Sequence, residues 1–96
     1  MSTSQRTLQE HLTSLSPQEV LSRAKTFFAD RNPLYSAFLE KDEPGYATFR
    51  GQGGEEIVIA VTARDGATFV TGSTYLFDMQ LARFFTTLPP VAGTHP

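Results

Sequence analysis

Two histidines, His11 and His95, are the side chains best suited to move protons near neutral pH. His95 stands one residue from the end of the sequence, and His11 is expected on a short first helix facing solvent. A catalytic group needs a rigid supporting shell, and neither position offers one. Two distant histidines also fall short of the four placed ligands that a structural zinc requires. Cysteine is absent, which removes disulfides, thiol catalysis and thiolate metal sites together. The carboxylates Glu40, Asp42, Glu43, Glu55 and Glu56 could in principle pair for glycosidase-type chemistry. The first three fall on or beside a turn, and the last two point to opposite faces at a strand start, so solubility and edge protection are the expected roles. Gly51-Gln52-Gly53-Gly54 has the look of a phosphate loop, but it leads into a β-rich segment with two glutamates and has no Gly-Lys-Ser/Thr ending. A turn or bulge is expected there. The hydroxyl cluster Thr71, Ser73 and Thr74 lacks a nucleophile elbow and a nearby histidine, and reads as strand propensity and helix capping. Arg50 beside Tyr46 and Tyr35 could stack bases or form a protein interface. The formal net charge of −2 over 96 residues disfavours the first of these.

The elements that would position these residues follow from periodicity. Leu8, Leu12 and Leu15, with Thr7 and Glu10 spaced as a capping box, predict a short amphipathic helix. Leu15-Ser16-Pro17-Gln18-Glu19-Val20 is the clearest local signal. Ser16 and Glu19 form a second capping box, Pro17 occupies the first helical position, and Leu15 and Val20 have the spacing of a hydrophobic staple. The helix that follows carries Val20, Leu21, Ala24, Phe27 and Phe28 on one face and stops at Asp30-Arg31-Asn32-Pro33.

From Leu34 to Thr74 the period becomes two. Strands are predicted over 34–41, 46–50, 55–63 and 67–74. Asp42-Glu43-Pro44-Gly45 forms a four-residue turn, and Asp65-Gly66 has a hairpin signature. Pairing Lys41 with Tyr46 would set Phe38 opposite Phe49, with Leu34 and Ala47 on their face and Tyr35, Leu39, Tyr46 and Thr48 on the other. The run Ile57-Val58-Ile59-Ala60-Val61 is apolar on both faces, as in a central strand. The last hairpin has two possible registers: a two-residue loop sets Val70 beside Val61, and a three-residue loop sets Phe69 there. Phe77, Leu81, Phe84, Phe85 and Leu88 predict a final helix over 75–88, capped by Ser73 or Thr74 and stopped by Pro89-Pro90.

The expected fold is therefore α+β, in the order α-α-β-β-β-β-α. It is a two-layer sandwich, in which a four-stranded antiparallel meander sheet is covered by N-terminal helices and a C-terminal helix. Residues 1–96 form one domain, with 1–6 and 90–96 as loose tails. No secretory signal, lipidation box or membrane span is read, and the cytoplasm is the expected compartment.

The apolar surplus is the most informative functional feature. The last helix carries Tyr75, Leu76, Phe77, Met79, Leu81, Ala82, Phe84, Phe85 and Leu88 around most of its circumference. Flanking helices could hide that surplus within a monomer, a symmetric dimer could bury it, or it could line a pocket. The favoured expectation is a non-enzymatic interaction or assembly module, a homodimer or partner of another protein, with Tyr35, Leu39, Tyr46, Arg50, Leu76 and Met79 at the interface. The alternative is a small hydrophobic-ligand binder. The strand-to-helix passage from Gly66 to Leu88 resembles the closing element of helix-grip lipid and polyketide binders, though this chain is shorter than those. That resemblance implies an apolar cavity between helix and sheet, with Phe38, Phe49, Phe69, Phe77, Leu81 and Phe84 at its wall. No cofactor, metal, nucleic acid or membrane is expected as a partner.

Overall fold

The computed structural model describes residues 7–30, 38–51, 55–75 and 77–91. The fold is α+β: a five-stranded antiparallel sheet and two helices. The strands are β1 (Thr7–Thr13), β2 (Phe38–Glu43), β3 (Tyr46–Arg50), β4 (Glu56–Arg64) and β5 (Ala67–Tyr75). The helices are α1 (Pro17–Lys25), which runs on into a π-helical turn over Thr26–Asp30, and α2 (Asp78–Thr86). The strand order is β1-β5-β4-β3-β2, so the first strand closes against the last and β4 lies in the middle.

The main correction to the expected fold is the first element. Thr7–Thr13 is a strand paired antiparallel with β5, from Thr7 opposite Thr74 to Thr13 opposite Thr68. A spacing of four between Leu8 and Leu12 is even, so it satisfies a strand face as well as a helix face. Leu15, which completes the helical reading, falls beyond the strand in the bend before α1. The supposed cap does other work, because the Thr7 hydroxyl donates to Asp78 Oδ1 on α2 at 2.7 Å. Without β1, the outer edge of β5 would present its backbone groups unpaired, and that tertiary requirement outweighs a local helical preference.

The second capping box forms as expected. Ser16 Oγ accepts from the Glu19 N–H at 3.1 Å, and Glu19 Oε1 accepts from the Ser16 N–H at 2.9 Å. Val20, Leu21 and Ala24 then turn inward. The Asp65-Gly66 turn is a two-residue loop with φ of 50° and 80° at its two residues, the conformation an Asp-Gly hairpin favours. It sets Val61 opposite Val70.

The β2–β3 hairpin differs from its expected form. Glu43 pairs with Tyr46, so the turn is only Pro44-Gly45, and a register shift lies between Leu39 and Lys41. Leu39 therefore pairs with Phe49, and Phe38 with Arg50. This moves Leu39 to the face of Phe49, away from Tyr46. Of the first predicted strand, residues 34–37 lie outside the described residues.

The last helix also starts late, at Asp78, because β5 continues to Tyr75 opposite Glu56. No side chain caps α2 at its first turn. Thr74 instead joins strand to helix: its hydroxyl donates to the Glu56 carbonyl at 2.7 Å and accepts from the Phe77 N–H at 3.2 Å. Of the expected tails, residues 1–6 and 92–96 lie outside the described residues.

Both helices pack on one face of the sheet. The core there joins Val20, Leu21, Ala24 and Phe28 to Ala47, Phe49, Ile57, Ile59, Val61 and Val70, and to Phe77, Leu81, Phe84, Phe85 and Leu88. Phe28 meets Phe49 and Phe84 with ring centroids 5.3 and 5.2 Å apart, in tilted geometry. Gly72 lets α2 approach closely, since a Cβ there would lie 2.6 Å from Leu81 Cδ1. No helix among the described residues is long and apolar enough to cross a membrane.

Candidate functional site

The strand alternation assigns side chains to a helix-covered face and an opposite face on which none of the described helices packs. On β3, Ala47 and Phe49 turn into the core, so Tyr46, Thr48 and Arg50 turn away. On β5, Phe69, Thr71, Ser73 and Tyr75 turn away, and on β4, Val58 and Ala60. On β1, Leu8, Glu10 and Leu12 share that side, while Thr7, Gln9, His11 and Thr13 turn toward α2. Arg64 lies over the Phe69 ring with its guanidinium carbon 4.3 Å from the ring centre.

The two edges of the sheet differ in kind. At β2, four consecutive charged residues, Glu40, Lys41, Asp42 and Glu43, stand with a register irregularity. Charges and bulges are devices by which edge strands resist pairing with another chain. Lys25 Nζ binds Asp42 Oδ2 at 2.7 Å, and Arg50 Nε binds Glu40 Oε2 at 3.0 Å. Arg50 Nη2 also lies 3.5 Å from Glu56 Oε2. The hydrogen bond and charge of Glu40, with help from Glu56 and against some desolvation, push the Arg50 pKa up. The guanidinium is thus held by two carboxylates on the helix-free face, rather than offered to a phosphate.

At β1 the edge is regular, paired continuously with β5 over seven residues, and contains no proline and one carboxylate. Leu8 is 64% exposed and Leu12 39%. These two leucines were not among the interface residues expected from sequence. Their signal was present, but reading Thr7–Leu15 as a helix assigned them to an internal face.

The expected interface residues do not come together. Tyr46 and Arg50 share the helix-free side of β3, both half-buried. Leu39 is on β2 with the parity of Phe49 and is exposed. Met79 is 76% exposed in the first turn of α2, in the opposite layer. Tyr35 and Leu76 lie outside the described residues. Of the expected pocket wall, Phe49, Phe77, Leu81 and Phe84 meet in the core, each at most 6% exposed. Phe69 turns to the opposite face under Arg64. The side chain of Phe38 lies outside the described residues. The described residues form a surface groove of about 240 Å³ lined by Ser22, Arg23, Thr26, Phe27 and Thr87, and another of about 470 Å³ between the start of α1 and the β4–β5 turn. Neither is lined by those core aromatics.

His11 does not face solvent as expected. Its ring lies 5.9 Å from that of Phe85, and Nε2 is buried without a hydrogen-bond partner among the described residues. Among the described residues, no group of three or more His, Asp or Glu side chains could hold a metal ion. The glycine-rich stretch begins as a tight strand connection in which the Gly51 N–H donates to the Glu55 carbonyl at 2.8 Å, while Gln52, Gly53 and Gly54 lie outside the described residues. Compared with known proteins, the sequence matches no family model and no curated protein.

Proposed function

We propose that this chain is a small non-enzymatic interaction module that associates with copies of itself through the β1 side of its sheet. The observation that supports this reading is the contrast between the two edges. β2 carries four charges and a bulge, whereas β1 is a regular strand that leaves Leu8 and Leu12 in water. The apolar surplus of α2 is not the source of the contact, because Phe77, Leu81, Phe84, Phe85 and Leu88 are buried within the subunit. Among the described residues, Leu8 and Leu12 are the exposed apolar pair on one regular strand, whereas Leu39 stands on the charged edge and Met79 alone on α2.

The non-enzymatic part of the proposal draws on dispersion. His11 packs against Phe85, and Lys25, Asp42, Arg50, Glu40 and Glu56 are engaged in ion pairs near the guarded edge. None of these groups lines either of the two grooves described above. The ring–ring contacts of Phe28, Phe49 and Phe84, and the close approach of Leu81 to Gly72, support the interaction reading over that of a ligand cavity.

Sedimentation velocity at micromolar concentration tests the reading. The wild-type chain is expected to sediment as a reversible dimer, and Leu8→Lys with Leu12→Lys to return it to a folded monomer. A wild-type chain that stays monomeric across the whole micromolar range overturns it.

A further inference from the structure

The sequence of β1 reads Thr7-Leu8-Gln9-Glu10-His11-Leu12-Thr13, which is close to a palindrome centred on Glu10. Threonine answers threonine and leucine answers leucine at equal distances on either side. An antiparallel strand pair related by a two-fold axis needs this kind of symmetry, because residue i of one copy then faces residue j of the other and the reverse.

The phase of the backbone groups agrees with it. A two-residue hairpin loop places a hydrogen-bonded pair at its base, here Arg64 and Ala67, and such pairs recur at every second residue. On β5, Ala67, Phe69, Thr71, Ser73 and Tyr75 therefore direct their backbone groups to β4. Thr68, Val70, Gly72 and Thr74 direct theirs to β1. Their partners Thr13, His11, Gln9 and Thr7 are thereby engaged. The N–H and C=O groups of Leu8, Glu10 and Leu12 point outward, to an edge that no strand among the described residues occupies.

We propose that two copies join edge to edge through β1, antiparallel about an axis at Glu10, to make a continuous ten-stranded sheet. This rests on the self-association reading above and specifies its register. Centring on Glu10 is the register that engages the outward groups of all three residues: Leu8 faces Leu12 of the second copy, Glu10 faces its own equivalent, and Leu12 faces Leu8. A shift of two residues either way leaves one of the three without a partner on each copy. Both leucine pairs lie on the helix-free side, where leucine–leucine contact across the junction removes the exposed apolar surface of β1 from water. On the helix side, Gln9 of the second copy comes opposite His11, whose buried Nε2 has no partner among the described residues.

The helix layer can accompany this joining. A stable interface takes about 20–30 residues a side, more than one seven-residue strand supplies. α2 contacts β1 at Thr7, Gln9 and His11 and lies over Gly72 of β5, so it sits above the gap between the two strands. With strands about 4.8 Å apart, the two α2 axes would lie about 10 Å apart, at the upper end of ordinary helix packing. Asp78, Ala82 and Thr86 recur at every fourth residue along α2 and are exposed. They lie on the flank shared with Phe85, which faces β1, whereas Phe84 faces Phe27 and Phe28. Ala82 falls near the axis, where a small side chain permits two antiparallel helices to approach. Glu10 meeting Glu10 limits the affinity, since like charges directly opposite disfavour a strand pair, and makes the association reversible.

Because the chain has no cysteine, one introduced thiol reports one position. In the proposed pair, the Cα atoms of the two residues at position 10 stand about 5.5 Å apart, within disulfide range. Under mild oxidation Glu10→Cys is expected to form a covalent dimer. Leu8→Cys and Leu12→Cys are each expected not to cross-link alone, but to do so when mixed. Glu10→Gln is expected to tighten the sedimentation dimer a few-fold, and Ala82→Glu to weaken it without unfolding the subunit. If the wild type and Glu10→Gln sediment as dimers but Glu10→Cys cross-links no better than Leu8→Cys alone, the register is wrong and the self-association reading survives. If the wild type and Glu10→Gln stay monomeric and no thiol variant cross-links selectively, both are overturned.

Discussion

Replacing Gly72 by alanine asks whether α2 is seated on the sheet as closely as the structure places it. The added Cβ would lie 2.6 Å from Leu81 Cδ1, and 3.1 Å from both Leu81 Cδ2 and Phe85 Cζ. Leu81 is fully buried and Phe85 nearly so, so neither side chain can swing into solvent to make room. α2 must lift, or Leu81 must leave its rotamer. Overpacking of this kind costs about 1–3 kcal/mol. Against it stands the entropy that alanine removes from the unfolded chain, about 0.4–1 kcal/mol. At the midpoints of the two ranges the overpacking wins, with a net loss of about 1.3 kcal/mol and an upper bound of about 2.6 kcal/mol. For a domain of this size each kcal/mol lowers Tm by about 4–8 °C. Urea and thermal denaturation at one fixed protein concentration would measure it, the fixed concentration being needed because self-association itself adds stability. A double-mutant cycle sharpens the test. Leu81→Ala alone should cost about 2–5 kcal/mol through its cavity. In the double variant the new methyl occupies part of that cavity, so the loss should fall short of the sum of the singles by more than about 0.5 kcal/mol. A Gly72→Ala variant as stable as the wild type, or two losses that simply add, would refute the close seating of α2.

Three further substitutions probe the junctions that hold the elements together. Ser16→Ala removes the acceptor for the Glu19 N–H and should cost about 1 kcal/mol in urea denaturation. Thr74→Val keeps the buried shape but removes the hydroxyl that bonds the Glu56 carbonyl and the Phe77 N–H where β5 passes into α2; a loss of about 1–3 kcal/mol is expected by the same measurement. Arg50→Ala, which breaks surface pairs with Glu40 and Glu56, should change stability by less than about 1 kcal/mol and less still at high salt.

Much of the molecule is legible in the chain because the deciding interactions are local. The Ser16–Glu19 capping box joins residues three apart, so its outcome hardly depends on the rest of the fold. Asp65-Gly66 meets a demand for positive φ that an Asp-Gly pair satisfies readily. The apolar run from Ile57 to Val61 marks a central strand, and β4 is the middle strand of the sheet, with Ile57, Ile59 and Val61 buried and Val58 and Ala60 partly so. The apolar stripe of Phe77, Leu81, Phe84, Phe85 and Leu88 is legible as helical spacing, but that it is buried within the subunit is seen only in the structure.

What the tertiary structure alone decided is the fate of residues 7–13 and of the β2 register, because in both the local pattern admits two answers. Leu8 and Leu12 share a side of a helix and of a strand alike, and only the open backbone groups of β5, brought near by folding, select the strand. The slip between Leu39 and Lys41 adds one residue to the pairing and so transfers Leu39 to the other face, an outcome that alternation cannot disclose. The candidate site depends on the first of these choices. Composition settled how much apolar surface the chain owns; long-range pairing settled that Leu8 and Leu12 stand exposed on an edge strand.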